Sequence, residues 1–334
     1  MTTYKEINGT NIEAVSSDPA NPVTGQVWYN TTTNVVKGKI VTTAGSWATG
    51  GALNTEKSSS GSAGTQTSAI VAGGGTPAGP NTSTVELYNG SSWTETTDLN
   101  TARRQLGGAG VDNTSALVFG GDTSTGSSGQ TNATESWNGS AWTEVNNLNT
   151  ARQGPAGAGI QTAAICIGGG VVPAGQPTAN TELWNGTSWT EVNNLNLGRR
   201  FMGGAGTTTA ALGIGGNGGS PIDVKQSLTE SWNGTSWTEV NDMNIARTQM
   251  ASFGSQTAAI VSAANTPSPS TRVNTESWDG TSWTEVNDMS VSGTEGNGTG
   301  TSTAGLVGGR SGTPAAATEE WTGAGPVTVT FTDS

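Results

Sequence analysis

The sequence predicts an all-β protein built from about six copies of one unit. Three observations predict this class: a unit that recurs every 45–48 residues, β-forming residues without a helical period, and tryptophans at matching positions. Only 11% of the 334 residues are charged and 51 are glycine, a composition that disordered chains share. The 12 tryptophans beside short apolar runs instead indicate a small core in each unit.

The first 49 residues differ from the repeats. Residues 1–25 are polar and contain turn-forming pairs such as Asp18-Pro19. Residues 26–47 hold two runs of β-formers around a Thr-rich turn, which predicts a β-hairpin. We therefore expect an N-terminal extension over residues 1–49 and a repeat domain over residues 50–334.

Each repeat predicts four short strands. A Gly-rich strand, as at residues 106–112, precedes a continuous apolar strand that is typical of burial on both faces. The third strand reads TESW and the fourth SWTEV, and Asn-Gly between them is a strong hairpin signal. The apolar strands end in glycine pairs whose first members are Gly73, Gly120, Gly168, Gly215 and Gly308, with Ala263 in the fifth repeat.

The two tryptophans of a hairpin are predicted to share one face of the sheet. A two-residue turn at Asn138-Gly139 would place Trp142 opposite Glu135. A four-residue loop would place Trp142 opposite Trp137. Both arrangements point Trp137 and Trp142 to the same side. One sheet cannot bury this patch alone, so we expect it to pack against the neighbouring repeat.

This repeat resembles the kelch family of β-propellers. The kelch pattern is an apolar strand, a Gly pair, a variable loop, two aromatic residues, a Leu or Met and an Arg. The second repeat matches it with Gly120, Gly121, Trp137, Trp142, Leu148 and Arg152. The five-residue spacing of the aromatic residues departs from that pattern because the hairpin is tight. The resemblance implies a six-bladed kelch-like β-propeller over about residues 50–331, with seven blades as the alternative.

The last repeat is imperfect, because Trp321 has no second tryptophan after it. We expect Thr328–Phe331 to supply its outer strand. The N-terminal hairpin would then dock as an extra element or complete a seventh half-blade. Closing the ring would remove exposed sheet edges, which otherwise favour aggregation.

A second resemblance covers residues 12–49 and the SWNGTSWTEV motif of the repeats. Both are similar to structural and tail-appendage proteins of tailed phages, notably marine ones. This resemblance implies a non-enzymatic virion protein, such as a tail fibre or particle-surface component, that binds other virion proteins through residues 1–49. The alternative is a lectin-like propeller that recognises a host-surface glycan or protein. Either protein could form a homo-oligomer.

Catalytic, metal and cofactor sites are not predicted, and no binding residue is assigned. The chain has no histidine, which removes the commonest general base and His-based metal sites. Its single cysteine, Cys166, lies in an apolar run and is expected to be buried. The net charge of −12 with thinly spread basic residues argues against nucleic acid, and no apolar run is long enough to insert into a membrane.

Paired carboxylates recur in the hairpins, and two nearby carboxylates could cleave glycosides in a propeller hydrolase. A catalytic pair would be unique, whereas these pairs are copied, so we expect a structural role. The pairs are Glu135 with Glu144, Glu182 with Glu191, Glu230 with Glu239, and Glu276 with Glu285.

Arginines follow the Leu-Asn segment of most repeats. They could form a cationic ring at one end of a channel, or they could donate hydrogen bonds to backbone carbonyls between blades. The first repeat has Lys57 at this place and the sixth has no cation, so a ring would be broken. The arginines are Arg103, Arg104, Arg152, Arg199, Arg200 and Arg247. Recognition is expected in the variable loops after the Gly pairs, which are polar and lack aromatic residues.

Overall fold

The computed structural model describes residues 12–20, 22, 26–42, 44–77, 79–124, 129–171, 175–219 and 224–331. This part of the chain is all-β apart from one 3-10 turn at Pro269–Thr271. The chain divides into two units, residues 1–45 with 323–334 and residues 46–322. The sequence predicts the boundary after residue 49, but the larger unit already begins at Ser46 and ends before the last strand.

Six four-stranded antiparallel sheets make up the described part of residues 46–322, and we number them sheets 1 to 6 in chain order. Within each sheet the first, second, third and fourth strands are hydrogen-bonded in that order. Their bounds are, for sheet 1, Gly61–Thr65, Ser68–Gly75, Asn81–Tyr88 and Trp93–Thr96; for sheet 2, Gly107–Asp112, Ser115–Phe119, Thr134–Trp137 and Trp142–Val145; for sheet 3, Ala156–Ile160, Ala163–Ile167, Thr181–Trp184 and Trp189–Val192; for sheet 4, Gly203–Gly206, Ala211–Ile214, Thr229–Trp232 and Trp237–Val240; for sheet 5, Ala251–Ser255, Ala258–Ser262, Thr275–Trp278 and Trp283–Val286; and for sheet 6, Asn297–Thr301, Ala304–Gly308, Thr318–Thr322 and Ser46–Thr49.

Short ladders lie beside the loops that follow the second strands. Gly170–Val171 pairs with Gln176–Pro177. Asn217–Gly218 pairs with both Arg199–Arg200 and Val224–Lys225. These ladders tie parts of the variable loops to the connectors between sheets.

The hairpin between the third and fourth strands has a four-residue loop. Trp137 lies opposite Trp142 in the register, so the second of the two predicted arrangements is the correct one. Asn138 Oδ1 accepts hydrogen bonds from the backbone N–H groups of Ser140 and Ala141 at 3.0 and 2.9 Å. Gly139 has a φ of +92°, which glycine adopts more readily than other residues. The two indole centroids lie 5.3 Å apart on one face of the sheet.

These aromatic pairs are buried between neighbouring sheets, as the repeat pattern predicts. Trp137 and Trp142 of sheet 2 pack with Ile70 and Ala72 of sheet 1. Equivalent clusters join sheets 2 and 3, 3 and 4, 4 and 5, and 5 and 6. A further cluster joins Leu306 of sheet 6 to the aromatic pair of sheet 1. Aromatic pairs of this kind contribute about 0.5–1.5 kcal/mol beyond the area that they bury.

The first strands contact one another in the order of sheets 1 to 6, and the first strand of sheet 6 contacts that of sheet 1. Their glycines permit this close approach. A Cβ on Gly108 would lie 2.4 Å from the carbonyl oxygen of Ser62, and one on Gly157 would lie 2.5 Å from that of Gly108. The larger unit is therefore a propeller-like arrangement with glycine-lined first strands at its centre.

The fourth strand of sheet 6 comes from the N-terminal side of the unit. Ser46–Thr49 pairs with the third strand of sheet 6, and Trp47 lies opposite Trp321. The prediction that Thr328–Phe331 supplies this strand is wrong, since Gly325–Phe331 pairs with Val35–Thr42 instead. Trp47 thus provides the second tryptophan that the last repeat lacks.

The smaller unit holds a sheet with the order Glu13–Val15, Val27–Asn30, Val35–Thr42 and Gly325–Phe331. The predicted hairpin is present, with Val27–Asn30 antiparallel to Val35–Thr42. Asp18 accepts hydrogen bonds from the Trp28 indole at 3.1 Å and from the Asn30 amide at 2.7 Å. Lys37 Nζ lies 2.6 Å from the other carboxylate oxygen of Asp18. Asp18 therefore fixes both strands of the hairpin.

Candidate functional site

A buried ion pair fixes each connector between sheets. For sheets 1 to 5, the cation lies at the end of the connector that leads into the sheet. Its partner is the glutamate in the third strand of that sheet. Arg199 Nη2 lies 2.8 Å from Glu230 Oε1, and Lys57 Nζ lies 3.3 Å from Glu86 Oε1. The other pairs are Arg103–Glu135, Arg152–Glu182, Arg247–Glu276 and, in sheet 6, Arg310–Glu319. Each of these side chains is no more than 2% exposed.

Sheet 6 obtains its cation from a different position. The equivalent connector residue is Gly293, and a Cβ there would lie 2.5 Å from Arg310 Cδ. Gly309, with a φ of +68°, adopts the backbone conformation of Gly73 and Gly120, so Arg310 occupies the place of the second glycine. The sixth repeat thus has no cation at the connector position, as the sequence indicates, and Arg310 supplies the cation from the position of the second glycine. Gly309 is therefore the first glycine of the pair, one residue later than the Gly308-Gly309 alignment of the sequence predicts.

The same glutamates also bind the connector backbone. Glu182 Oε2 accepts from the backbone N–H of Asn149 at 2.8 Å and from its side-chain amide at 2.9 Å. Equivalent contacts join Asn54 to Glu86, Asn100 to Glu135, Asn196 to Glu230, Asn244 to Glu276 and Ser290 to Glu319. Since losing one partner of a buried ion pair costs about 3–5 kcal/mol, each cluster is a strong architectural constraint.

The paired carboxylates of the sequence are divided between two environments. Glu135 and Glu144 lie directly opposite each other in the register, as the pattern indicates. Glu135 is buried in its ion pair, whereas Glu144 is exposed. The carboxylate that a hydrolase would use as an acid or nucleophile is here bound to Arg103 and Asn100.

The arginines that follow the Leu-Asn segments do not form a cationic ring. Arg103, Arg152, Arg199 and Arg247 are fully buried. Arg152 Nη1 also donates to the carbonyls of Gly168 and Asn180, at 3.0 and 2.9 Å. Hydrogen bonding to carbonyls is thus confirmed, and these carbonyls flank strands of sheet 3, the sheet that the connector from sheet 2 enters. The remaining two, Arg104 and Arg200, are half-buried.

Burial dominates the electrostatics of these groups. Desolvation lowers the pKa of Arg199 and of Arg247, and their glutamate partners oppose that shift. Desolvation also raises the pKa of Cys166 to about 12. Because the thiolate is the reactive form, Cys166 is an inert core residue, as its apolar neighbours in the sequence predict.

Six backbone hydrogen bonds form a closed ring where the connectors enter the first strands. Each sheet contributes one residue, whose N–H donates to the carbonyl of the equivalent residue in the preceding sheet at 2.6–3.1 Å. The bond from Ser59 N–H to Glu295 O, at 3.1 Å, joins sheets 1 and 6. The members of this ring, which we call the mouth ring, are Ser59, Gln105, Gly154, Phe201, Gln249 and Glu295.

All members of the mouth ring have a left-handed backbone, with φ between +53° and +60°. Five of them are not glycine, and each such residue costs on the order of 1–3 kcal/mol, so the conformation persists only where the surrounding structure enforces it. The closed ring of hydrogen bonds supplies that enforcement. Strained positions of this kind are concentrated at binding sites, so the side chains of the mouth ring are candidate binding residues.

Glu295 is the one charged side chain in the mouth ring. The hydroxyl groups of Ser58 and Ser59 donate to its Oε2 at 2.8 and 2.9 Å, and Gln249 Nε2 donates to its Oε1 at 2.7 Å. A carboxylate can accept about four hydrogen bonds, so one position on Oε1 stays open. Glu295 is half-buried and is held in place by neighbours on both sides of it in the ring.

The other side of the mouth ring is apolar. Phe201 is half-buried, and the Arg200 guanidinium lies 5.0 Å from the centre of its ring. A Cβ on Gly154 would lie 2.3 Å from the Phe201 ring, so glycine makes room for it. The mouth ring thus presents a carboxylate and an aromatic ring at different places on one rim.

A polar cavity of about 270 Å³ lies beside Glu295. At Ser58, which lines this cavity, the first repeat has a smaller side chain than any other repeat has. The residues equivalent to Ser58 in the other repeats are Arg104, Gln153, Arg200, Thr248 and Thr294. The lining includes Ser58, Ser59, Thr76, Arg104, Gln105 and Glu295.

Sequence reasoning missed Glu295, although the signal was available. The hairpin glutamates recur in successive repeats, whereas Glu295 stands at a position that holds Ser, Gln, Gly or Phe elsewhere. A residue that departs from the repeat is the better candidate for recognition. The variable loops, which the sequence favours for that role, begin beside this cavity at Thr76 and Ser311 but lie partly outside the described residues.

Comparison with known proteins gives no family assignment. No protein-family profile matches this chain, and no curated protein is significantly similar to it. Across the described ranges no helix is long and apolar enough to cross a membrane. In the same ranges no group of three or more His, Cys, Asp or Glu side chains is placed to hold a metal ion.

Proposed function

We propose that this protein is a non-enzymatic component of a phage particle, such as a tail fibre, another appendage or a surface protein. Its larger unit is a six-bladed kelch-like β-propeller that acts as a rigid interaction scaffold. Six sheets and a closed mouth ring of six residues support this blade number over seven. The N-terminal hairpin pairs with Gly325–Phe331 in a separate unit, which also supports six blades over seven.

The scaffold role is supported mainly by the repeated charged residues, which form buried structural ion pairs. One glutamate in the third strand of each sheet is buried against a cation and a connector. These groups fix the sheets relative to one another, which suits a protein that presents a surface. The proposal that this protein belongs to a phage particle rests on sequence resemblance. Residues 12–49 and the SWNGTSWTEV motif of the repeats are both similar to tailed-phage proteins.

Attachment through the N-terminal segment is tested by truncation. Deleting residues 1–49 would also remove the fourth strand of sheet 6, so the informative deletion ends at residue 45. We expect this truncated protein to retain a cooperative thermal transition and to be missing from purified particles, measured by immunoblotting against the full-length protein. Normal incorporation of the truncated protein would contradict the attachment role.

Host recognition by glycan binding is the second candidate function. The observation that favours it is the singular carboxylate, Glu295, beside a polar cavity on an otherwise repetitive unit. A glycan array with the full-length protein tests this function. Binding to a restricted set of glycans is expected, and an array without any specific signal would contradict it.

A further inference from the structure

We propose that the cavity beside Glu295 binds a single uncharged sugar unit, with Glu295 Oε1 accepting a hydrogen bond from a sugar hydroxyl. This inference rests on the second candidate function and names the site and the ligand class. It does not depend on incorporation into a particle, since the cavity is formed within residues 46–322.

The size of the cavity favours a small ligand. A volume of about 270 Å³ holds roughly nine water molecules at about 30 Å³ each. Sites for drug-sized ligands span about 300–1,000 Å³, so this cavity is at or below their lower limit. One sugar ring with part of a neighbouring unit at the opening matches this volume better than an extended peptide does.

The charge of the cavity favours a neutral ligand. Lys57 and Arg310 line it, but their charges are balanced by Glu86 and Glu319. The other two charged groups in the lining are one cation, Arg104, and one anion, Glu295. An acidic sugar would face Glu295, and an amino sugar would face Arg104.

Hydrogen bonding favours a polyhydroxylated ligand. Glu295 is oriented before binding by Ser58, Ser59 and Gln249, so little ordering entropy is lost when its open position is used. The hydroxyl of Thr76 and the amide of Gln105 also line the cavity and can both donate and accept. Sugar hydroxyls likewise donate and accept, which matches this mixed lining.

The test measures binding of free sugars to the full-length protein by saturation-transfer difference NMR. The probes are the methyl glycosides of glucose, galactose and mannose, with glucuronic acid and glucosamine as charged comparisons. At least one neutral glycoside should bind with a Kd of about 1 mM, the affinity range of a small, mostly polar contact. Both charged sugars should bind at least tenfold more weakly.

Two variants locate the site without removing a core residue. Ser58→Gln fills the cavity with the residue that stands at the equivalent position 153, and Glu295→Gln installs the residue present at ring position 249. Each should weaken neutral-sugar binding at least tenfold and keep the thermal transition of the unmodified protein. The matched control is Glu144→Gln, on an exposed fourth strand, which should bind normally.

The outcomes separate this inference from the particle role. Absence of neutral-sugar binding, tighter binding of either charged sugar, or full affinity in Ser58→Gln would overturn it. Loss of binding in Phe201→Ala with full affinity in Glu295→Gln would place the ligand on the other side of the mouth ring and also overturn it. A protein that binds none of these sugars yet enters particles would leave the scaffold function standing.

Discussion

At the scale of single residues, one tryptophan lacks the hydrogen bond that its equivalents make. The fourth-strand indoles donate to the threonine that begins the third strand of the preceding sheet, as Trp189 does to Thr134 at 3.1 Å. Equivalent bonds join Trp237 to Thr181, Trp283 to Thr229, Trp47 to Thr275 and Trp93 to Thr318. Sheet 1 has Val85 at this position, and the buried Trp142 Nε1 finds no acceptor in the described structure.

Val85→Thr should therefore stabilise the protein. The new hydroxyl would accept from Trp142 Nε1 as Thr134 accepts from Trp189, and an intramolecular hydrogen bond contributes about 1 kcal/mol. The free energy of unfolding, measured by guanidinium denaturation, should rise by about that amount. The reciprocal change, Thr134→Val, leaves the Trp189 indole unpaired and should cost about 1–3 kcal/mol. A loss of stability in Val85→Thr would show that the Trp142 indole does not face Val85.

The residues of a hairpin and the residues of an ion pair differ in how far the sequence predicts them. Trp137 and Trp142 belong to adjacent strands joined by a tight loop, so the two-residue period alone assigns them to one face. Arg103 and Glu135 are 32 residues apart and meet only when the sheet is assembled. The local sequence pattern therefore shows that Arg103 and Glu135 both recur in the repeats, but it cannot predict that they form an ion pair.

Asp18 makes the smaller unit sensitive to acid. Hydrogen bonds from Lys37, Asn30 and Trp28 lower the pKa of Asp18 from 3.8 to about 2. A lowered carboxylate pKa stabilises the fold above the unfolded value of 3.8, and this contribution is lost as the pH falls towards 2. The Trp28 indole resonance should shift with a midpoint near pH 2, followed by NMR. In Asp18→Asn this shift should be absent, and a wild-type midpoint at 3.8 or above would contradict the arrangement.

At the scale of elements, the sequence could not establish which segment supplies the fourth strand of sheet 6. Both Ser46–Thr49 and Thr328–Phe331 read as short β-forming segments near an incomplete repeat. The choice between them depends on which segment can place a tryptophan opposite Trp321, and Trp47 does so with ring centroids 5.1 Å apart. The indole of Trp47 also donates to Thr275 at 3.1 Å, which repeats the contact made at other sheets.

Two truncations that differ by four residues test this strand. A chain that begins at Ser46 keeps the fourth strand of sheet 6, whereas a chain that begins at Gly50 loses it. Removing a packed tryptophan costs about 3 kcal/mol or more. For a unit of this size we expect a melting temperature about 6–12 °C lower for the chain from Gly50, measured by calorimetry. Equal melting temperatures would contradict closure by Ser46–Thr49, and Trp47→Ala in the chain from Ser46 serves as the control.

At the scale of the whole larger unit, the repeat period predicted the architecture well and the special positions poorly. The unit recurs every 45–48 residues, and each copy contains one Trp-bearing hairpin. Such copies fold into similar sheets, which must bury their aromatic faces against one another. The repeat cannot specify where one copy departs from the others. Ser58 and Glu295 differ from their equivalents in the other repeats, and both line the cavity beside the mouth ring.

The most direct test of the closed arrangement is native-state hydrogen exchange at the mouth ring. The Ser59 amide donates to Glu295 and is the link between the first and last sheets, whereas the Gly154 amide links two sheets within the series. In a closed ring both amides exchange only through global unfolding, so their exchange free energies should be equal. Rapid exchange at Ser59 with strong protection at Gly154 would show an open array and contradict the closed ring.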